Sequence, residues 1–126
     1  MSVLIDTGLL VDYLLGKPRA ARALDAYSHR SISAITWLDA MAMAPPERHE
    51  PTRAFLRSFE RLSINEAIAD EALRLIETHA GLDMHRALNW ATARMNQLVF
   101  VTADPRGLPG ADSGVALPYR VTSASR

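Results

Sequence analysis

The sequence predicts an α/β domain: a mostly parallel sheet covered by helices on both faces. Three observations carry that expectation. Short apolar runs alternate with helical patterns along the chain, which is how crossover-connected parallel sheets read. The first run, Val3-Leu4-Ile5, stops at an acid, Asp6, and a helical pattern begins at once. The strongest run, Leu98 to Thr102, is rich in β-formers and is likewise followed closely by an acid, Asp104. Unbroken apolar strands belong to sheets buried on both faces. In such sheets ligands and chemistry collect at the carboxyl ends of the strands.

Met1 to Ile5 reads as the first strand. Thr7 to Leu15 reads as a helix closed by Gly16, a good residue just past a helix end. Pro18 suits the first turn of a second helix, expected to run to about His29 with Ala21, Leu24 and Tyr27 on one face. Ser31 to Ile35 is a second strand, after which Thr36 opens a helix that Pro45-Pro46 stop. Thr36 and Asp39 have the spacing of a capping box. Glu47 to Glu50 is a charged connector, and Pro51 to about Glu60 a helix burying Ala54, Phe55 and Phe59. Leu62 to Ile64 is a minor strand. Asn65 is a good N-cap for a helix to about His79, with Ile68, Ala72, Leu75, Ile76 and His79 at helical spacing. Met84 to Asn96 is the next helix, with Met84, Leu88, Ala91 and Met95 as its apolar stripe. Pro105 to Gly114, which includes Asp112, is a loop. Val115 to Val121, interrupted by Pro118, is an edge strand. One domain is expected over residues 1–122, with a frayed Ser-rich tail at 123–126.

The bulk composition narrows the function classes. At 126 residues, 48% hydrophobic and 22% charged, the chain suits one soluble domain with a real core. Fourteen basic residues balance fourteen acidic ones, so nucleic-acid binding would need a local basic patch. There is no cysteine, which removes disulfides, thiolate zinc sites and cysteine nucleophiles. Asp6 interrupts the first apolar run and no basic segment precedes it, so it does not read as a secretory signal. No run approaches the roughly 18–20 apolar residues that span a bilayer. A cytoplasmic protein without membrane contact is the expectation. The four histidines share no metal-binding spacing, and neither a Gly-x-Ser-x-Gly elbow nor a Gly-rich phosphate loop is present.

Asp6, Asp39 and Asp104 are left as the chemistry-bearing group. A parallel sheet would bring all three to one edge: Asp6 after the first strand, Asp39 early in the helix behind the second, Asp104 after the strongest strand. A carboxylate cluster without His or Cys suits a hard divalent cation such as Mg²⁺ or Mn²⁺. Such an ion activates water and neutralises phosphate charge, which points to phosphodiester hydrolysis. Each acid also admits a purely structural role. Asp6 would cap the helix behind it, Asp39 would complete a capping box, and Asp104 before Pro105 would be ordinary turn chemistry.

Five groups of residues, in order, carry a resemblance to a known family. They are Leu4-Ile5-Asp6-Thr7 with Asp12-Tyr13-Leu14-Leu15-Gly16; Ile32-Ser33-Ala34-Ile35-Thr36 with Asp39; Ala87-Leu88 with Ala91-Thr92-Ala93; Val101-Thr102-Ala103-Asp104; and Leu117-Pro118-Tyr119. Over nearly its whole length the chain resembles the PIN domain family, and within it the small VapC-like toxins of bacterial toxin–antitoxin pairs. The resemblance implies a three-layer α/β/α sandwich and Mg²⁺- or Mn²⁺-dependent ribonuclease chemistry. It also implies an RNA substrate, a homodimer and a small antitoxin partner. It assigns Asp6, Asp39 and Asp104 as metal-binding and catalytic acids, Asp39 standing one methylene shorter than the usual Glu. Thr7, Thr102, Asp83 and Arg86 lie around them as supporting positions.

Arg86 is the departure. The family pattern has a further Asp directly before Ala87-Leu88, and this chain has a fixed cation there. At about 5 Å and an effective dielectric of about 20, it would repel a divalent ion by roughly 6–7 kcal/mol before compensation. Asp83, one helical turn earlier, and His85 are the nearest substitutes. Arg86 could instead pair with the acids and take the metal's electrostatic place, or contact RNA phosphate. The expected function is therefore a metal-dependent ribonuclease, with a degenerate PIN-like domain that binds protein or RNA without cutting as the alternative. Leu9, Leu10, Tyr13 and Leu14 make the first helix more apolar than its length requires. That face is expected to meet a second copy or an antitoxin.

Overall fold

The computed structural model describes residues 2–109 and 114–119. Strands β1 (Ser2–Ile5), β2 (His29–Ser33), β3 (Glu60–Leu62), β4 (Val99–Val101) and β5 (Val115–Ala116) form one sheet in the order β3-β2-β1-β4-β5. Every neighbouring pair is parallel. From β1 the chain builds outward through β2 and β3, then returns to the other side of β1 for β4 and β5. The order reverses between β1 and β4, and beside such a switch the strand ends leave a crevice open to ligands. Ile5 is in register with Val101, and the Asp6 amide continues the ladder to the Val101 carbonyl at 2.9 Å. Asp6 and Thr102 therefore leave the sheet side by side.

Among the described residues six α-helices cover the sheet: α1 (Thr7–Leu14), α2 (Pro18–Asp25), α3 (Ala34–Met43), α4 (His49–Leu56), α5 (Glu66–Thr78) and α6 (Met84–Met95). A 3₁₀ turn, Pro46–Arg48, leads into α4. Alternation along the strands sorts the helices to the two faces. Val3, Ile5, Ile32 and Val101 pack against Leu9, Leu10, Leu24, Met41 and Leu56 from α1 to α4. Leu4 and Phe100 point the other way, into Ile68, Leu75 and Trp90 of α5 and α6. Two cores on opposite faces of one sheet make the expected three-layer α/β/α sandwich. Each large side chain fully buried there contributes about 1.5–3 kcal/mol. No described helix is long and apolar enough to cross a membrane.

Several local expectations shift for identifiable reasons. Helix α3 begins at Ala34 because Ser33, not Thr36, is its N-cap: the Ser33 hydroxyl accepts the Thr36 amide at 3.2 Å. The Thr36–Asp39 capping box does not form, and Asp39 sits a full turn inside the helix. Helix α2 stops at Asp25, and β2 starts two residues earlier than Ser31. Helix α4 starts at His49 with Pro51 in its first turn and ends at Leu56. There Ser58 Oγ donates back to the Phe55 carbonyl at 2.7 Å, an alternative to continuing the helix. Ala54 is exposed, Phe59 enters the core after the helix, and β3 falls at Glu60–Leu62.

Helix α6 keeps only the middle of the expected stripe: Ala91 is fully buried and Leu88 packs against the core, but its two ends are exposed. Met84 and Met95 are 65% and 50% exposed, whereas Arg86, Ala87, Asn89, Trp90, Ala91 and Ala93 face inward. Trp90 needs the core volume, and the two polar residues are drawn toward the strand ends. On α5, Ile68, Ala72 and Leu75 are buried while Ile76 lies at the rim. His79 just beyond it meets Trp90 edge-on, with ring centres 4.9 Å apart. Leu9 and Leu10 are fully buried and Tyr13 stacks on Phe55, with ring centres 4.9 Å apart. Of the expected contact face of α1, only Leu14, joined by Leu15, is exposed. The strand expected over Val115 to Val121 is only Val115–Ala116 before Pro118; Met1, the Gly110 to Ser113 part of the loop with Asp112, and residues 120–126 with the expected tail lie outside the described residues.

The loop after β4 is fastened to the turn between α5 and α6. Gly107 has φ +76°, and a Cβ there would sit 2.5 Å from the Leu82 nitrogen and 2.6 Å from its Cα. Both the left-handed conformation and the backbone contact require glycine. Gly107→Ala is expected to cost about 2 kcal/mol or more in urea unfolding, and to displace the neighbouring Arg106 carbonyl that the site uses.

Candidate functional site

Asp6 is held where the sheet order reverses. Its carboxylate caps α1 by accepting the Thr7 amide at 2.9 Å. Oδ2 also accepts the Thr102 hydroxyl at 2.7 Å, and Oδ1 accepts Asn89 Nδ2 at 3.2 Å. The capping reading of Asp6 is therefore met, by a side chain that also gathers donors from β4 and α6. It is almost wholly buried. Burial pushes its carboxyl above the ordinary range, outweighing the opposing pull of Thr102, Asn89, Arg86 and the Thr7 amide.

Asn89 ties this acid to the neighbouring strand end. Its amide nitrogen also reaches Thr7 Oγ1 at 3.3 Å, and its oxygen accepts the Ser33 hydroxyl. Thr7 and Thr36 hydroxyls are 2.8 Å apart. Sequence reading missed Asn89 and Ser33. The available signal was Asn89 lying three residues after Arg86, hence on the same helix face, in a run otherwise composed of Ala, Leu, Trp and Thr.

Arg86, 8% exposed at its side chain, enters between the two strand ends. Its Nη1 donates to the Arg106 carbonyl and its Nη2 to the Asp104 carbonyl, each at 2.6 Å. Its Nε lies 3.8 Å from Asp6 Oδ2 and 3.9 Å from Asp104 Oδ2. That nitrogen is buried with no hydrogen-bond partner, so it acts there as charge rather than as a donor. At an effective dielectric near 20, each such pair is worth about 4 kcal/mol before desolvation is subtracted. Asp83 is the N-cap of α6, accepting the Arg86 amide at 2.9 Å, with its other oxygen 4.0 Å from Nη1. It thus fixes the start of the helix that delivers Arg86. Asp39 is elsewhere engaged, 3.6 Å from His85 Nε2.

Among the described residues no three acidic or histidine side chains gather as a ligand set. Asp6 and Asp104 come to one guanidinium, and Asp39 faces His85. Mg²⁺ and Mn²⁺ take about six oxygen ligands in near-octahedral array. Here Asp6 already accepts three protein donors, and Arg106 occupies both oxygens of Asp104. The cation position between the two acids is filled by Arg86. This arrangement does not fit a divalent ion.

Asp104 has its carboxyl held down to about 2, chiefly by hydrogen bonds from Arg106 and further by the Arg86 charge, against the opposing effect of burial. A carboxylate depressed in the folded state stabilises it above the ordinary value of about 3.9, and that contribution is lost as pH falls toward about 2. Asp104→Asn, which cannot titrate, is expected to lose less stability than the natural protein between pH 5 and about 2. Thermal melts across that interval would read the difference.

The geometry can be set beside known proteins. A PIN domain family model matches residues 3–110. A chain from a toxin–antitoxin complex of Klebsiella pneumoniae is 31% identical, with TM-score 0.87 over 95% of this chain and 100% of that one. FitAcB from Neisseria gonorrhoeae gives 21% identity and TM-score 0.72 over 92% and 97% of the two chains. DNA-bound VapBC from Salmonella typhimurium gives 16% and 0.75 over 94% and 98%. These last two likenesses concern the fold alone. No curated protein matches in sequence. The family match, the parallel sheet and the acids at its switch point agree: the chain belongs to the PIN domain family.

Proposed function

We propose that this protein is the toxin-type member of a toxin–antitoxin pair, built on the scaffold of a VapC-like ribonuclease. In the arrangement described it binds rather than cuts. The single observation that carries this reading is Arg86 Nε, buried between Asp6 and Asp104 and hydrogen-bonded to neither. A tethered monovalent cation stands where hydrolysis would need a divalent one. The expected partners are RNA, an antitoxin protein and a second copy of the chain. The likeness to a toxin–antitoxin chain at 31% identity supports the protein partner. So does the exposed apolar end of α1 at Leu14 and Leu15.

A second reading is favoured by the order that survives around Asp6. Thr102, Asn89 and the Thr7 amide hold that carboxylate without help from Arg86. Withdrawal of Arg86 would leave a preformed acid pair, with Asp39 on the adjacent helix, and Mg²⁺- or Mn²⁺-dependent cleavage of RNA would become available. The two readings differ only in whether Arg86 leaves under working conditions.

Calorimetry with Mn²⁺ on the natural protein and on Arg86→Asp separates them. The natural protein is expected to show no saturable binding at millimolar Mn²⁺. The variant exchanges a repelling charge for a ligand and should bind at least about a hundredfold more tightly. Mn²⁺ should also raise the melting temperature of the variant alone, because a ligand of the folded state stabilises it. Tight Mn²⁺ binding by the natural protein, with RNA cleavage abolished by Asp6→Asn, would overturn the binding-only reading and establish the second.

A further inference from the structure

A groove between α3, α4 and β3 combines an aromatic ring with three guanidinium groups. It has a volume of about 440 Å³ and is lined by Trp37, Arg53, Leu56, Arg57, Phe59 and Arg61, within the size range of small-ligand sites. We propose that this groove binds single-stranded RNA, with phosphates on the arginines and a base stacked at Trp37 and Arg61. The proposal rests on the reading above that RNA is a partner, and it names where the RNA sits.

Charge and shape both select that occupant. No acid lines the groove. Strand alternation sends Glu60 to the opposite face of β3 from Arg61. Among the described residues Arg53 pairs with Glu50, while no carboxylate pairs with Arg57 or Arg61. Arg61 lies over the Trp37 ring, its guanidinium carbon 4.4 Å from the ring centre. That stack leaves the outer guanidinium plane free to receive a base, a mode common in single-strand recognition. Leu56 and Phe59 floor the groove from the core and are almost wholly buried, so the platform is rigid. Helix α3 supplies Trp37 here and, one residue before it, Thr36, whose hydroxyl lies 2.8 Å from that of Thr7 beside Asp6, so one helix adjoins both the groove and the acid site. An overall neutral chain thus keeps a local basic surface beside that site.

The test is fluorescence anisotropy with a labelled eight-nucleotide oligouridine RNA and the full chain. Two phosphate contacts on a single strand, at the two arginines without a carboxylate partner, predict that affinity falls about sevenfold between 50 and 200 mM salt. Arg57→Glu, at an exposed position, should weaken binding about tenfold, and Trp37→Ala by a similar factor through lost stacking. Arg74→Glu, a comparable change on α5, should leave it unchanged. Unaltered binding in Arg57→Glu together with Arg61→Glu would overturn the proposal. So would an absence of RNA binding by the natural protein, equal affinity for polyglutamate, or a change of oligomeric state in these variants, which would make the groove a copy interface. Trp37 is partly buried, so its variant is compared only after its melting curve matches that of the natural protein, and the arginine variants decide the matter alone if it does not. Loss of RNA binding leaves the Mn²⁺ response of Arg86→Asp untouched, so failure here is distinct from failure of the functional reading.

Discussion

One buried carboxylate organises this molecule. Asp6 stands where the parallel sheet reverses its order, a position fixed by β1 lying between β2 and β4. Burying an ionised acid is costly unless donors and counter-charge replace its water. Every element that meets there contributes to the replacement: α1 through the Thr7 amide, β4 through Thr102, α6 through Asn89 and Arg86. Burial still holds the acid above its ordinary range, so the compensation is partial. The site would be poorly satisfied with any of these contributors removed, which makes it a structural junction as much as a chemical one.

The identity of the counter-charge matters more than its sign. A divalent ion would bring two charges and demand oxygen from all sides. A guanidinium brings one charge, a fixed plane and its own tether. Arg86 spends two nitrogens on the Asp104 and Arg106 carbonyls and only the charge of the third on the acids. It therefore orders the loop after β4 as well as neutralising the crevice. Gly107 presses the same loop against Leu82, at the turn leading to α6. Arg86 is consequently held from both ends, by the helix that carries it and by the loop it binds. The acid centre and residues 104–107 of that loop are thus tied together through one side chain.

Much of this was legible in the chain. Unbroken apolar runs ending in acids located β1 and β4 and hence the site, since those features depend on local pattern. Asn65 located the start of α5 for the same reason. The inward face of α6 was not legible. Hydrophobic spacing favoured Met84 and Met95, yet the helix turns Arg86 and Asn89 inward because their partners come from residues 6 and 33. Tertiary partners of that kind leave no periodic trace. The start of α3 was misplaced by a smaller margin, because Ser33 and Thr36 are both competent caps and only the end of β2 decides between them. The identity of residue 86 raised the question of the metal, but the sequence could not say where its three nitrogens go.

The same separation of scales explains how a PIN domain can keep its architecture while its centre changes character. The two cores lie on the faces of the sheet, built from Val3, Ile5 and Val101 on one side and Leu4, Phe100 and Trp90 on the other. None of them depends on which cation sits at the strand ends. The centre, by contrast, requires only that the charges sum acceptably within a few ångströms, and an arginine meets that requirement as a metal would. Fold and neutrality are thus satisfied together, while coordination number, open ligand positions and water activation are not. The surface is equally independent of the centre. Trp37 and the arginines of α4 and β3 derive their character from a helix face and an edge strand that the acids do not touch. Groove and acid centre are therefore built from separate residues, and the identity of residue 86 leaves the lining of the groove untouched.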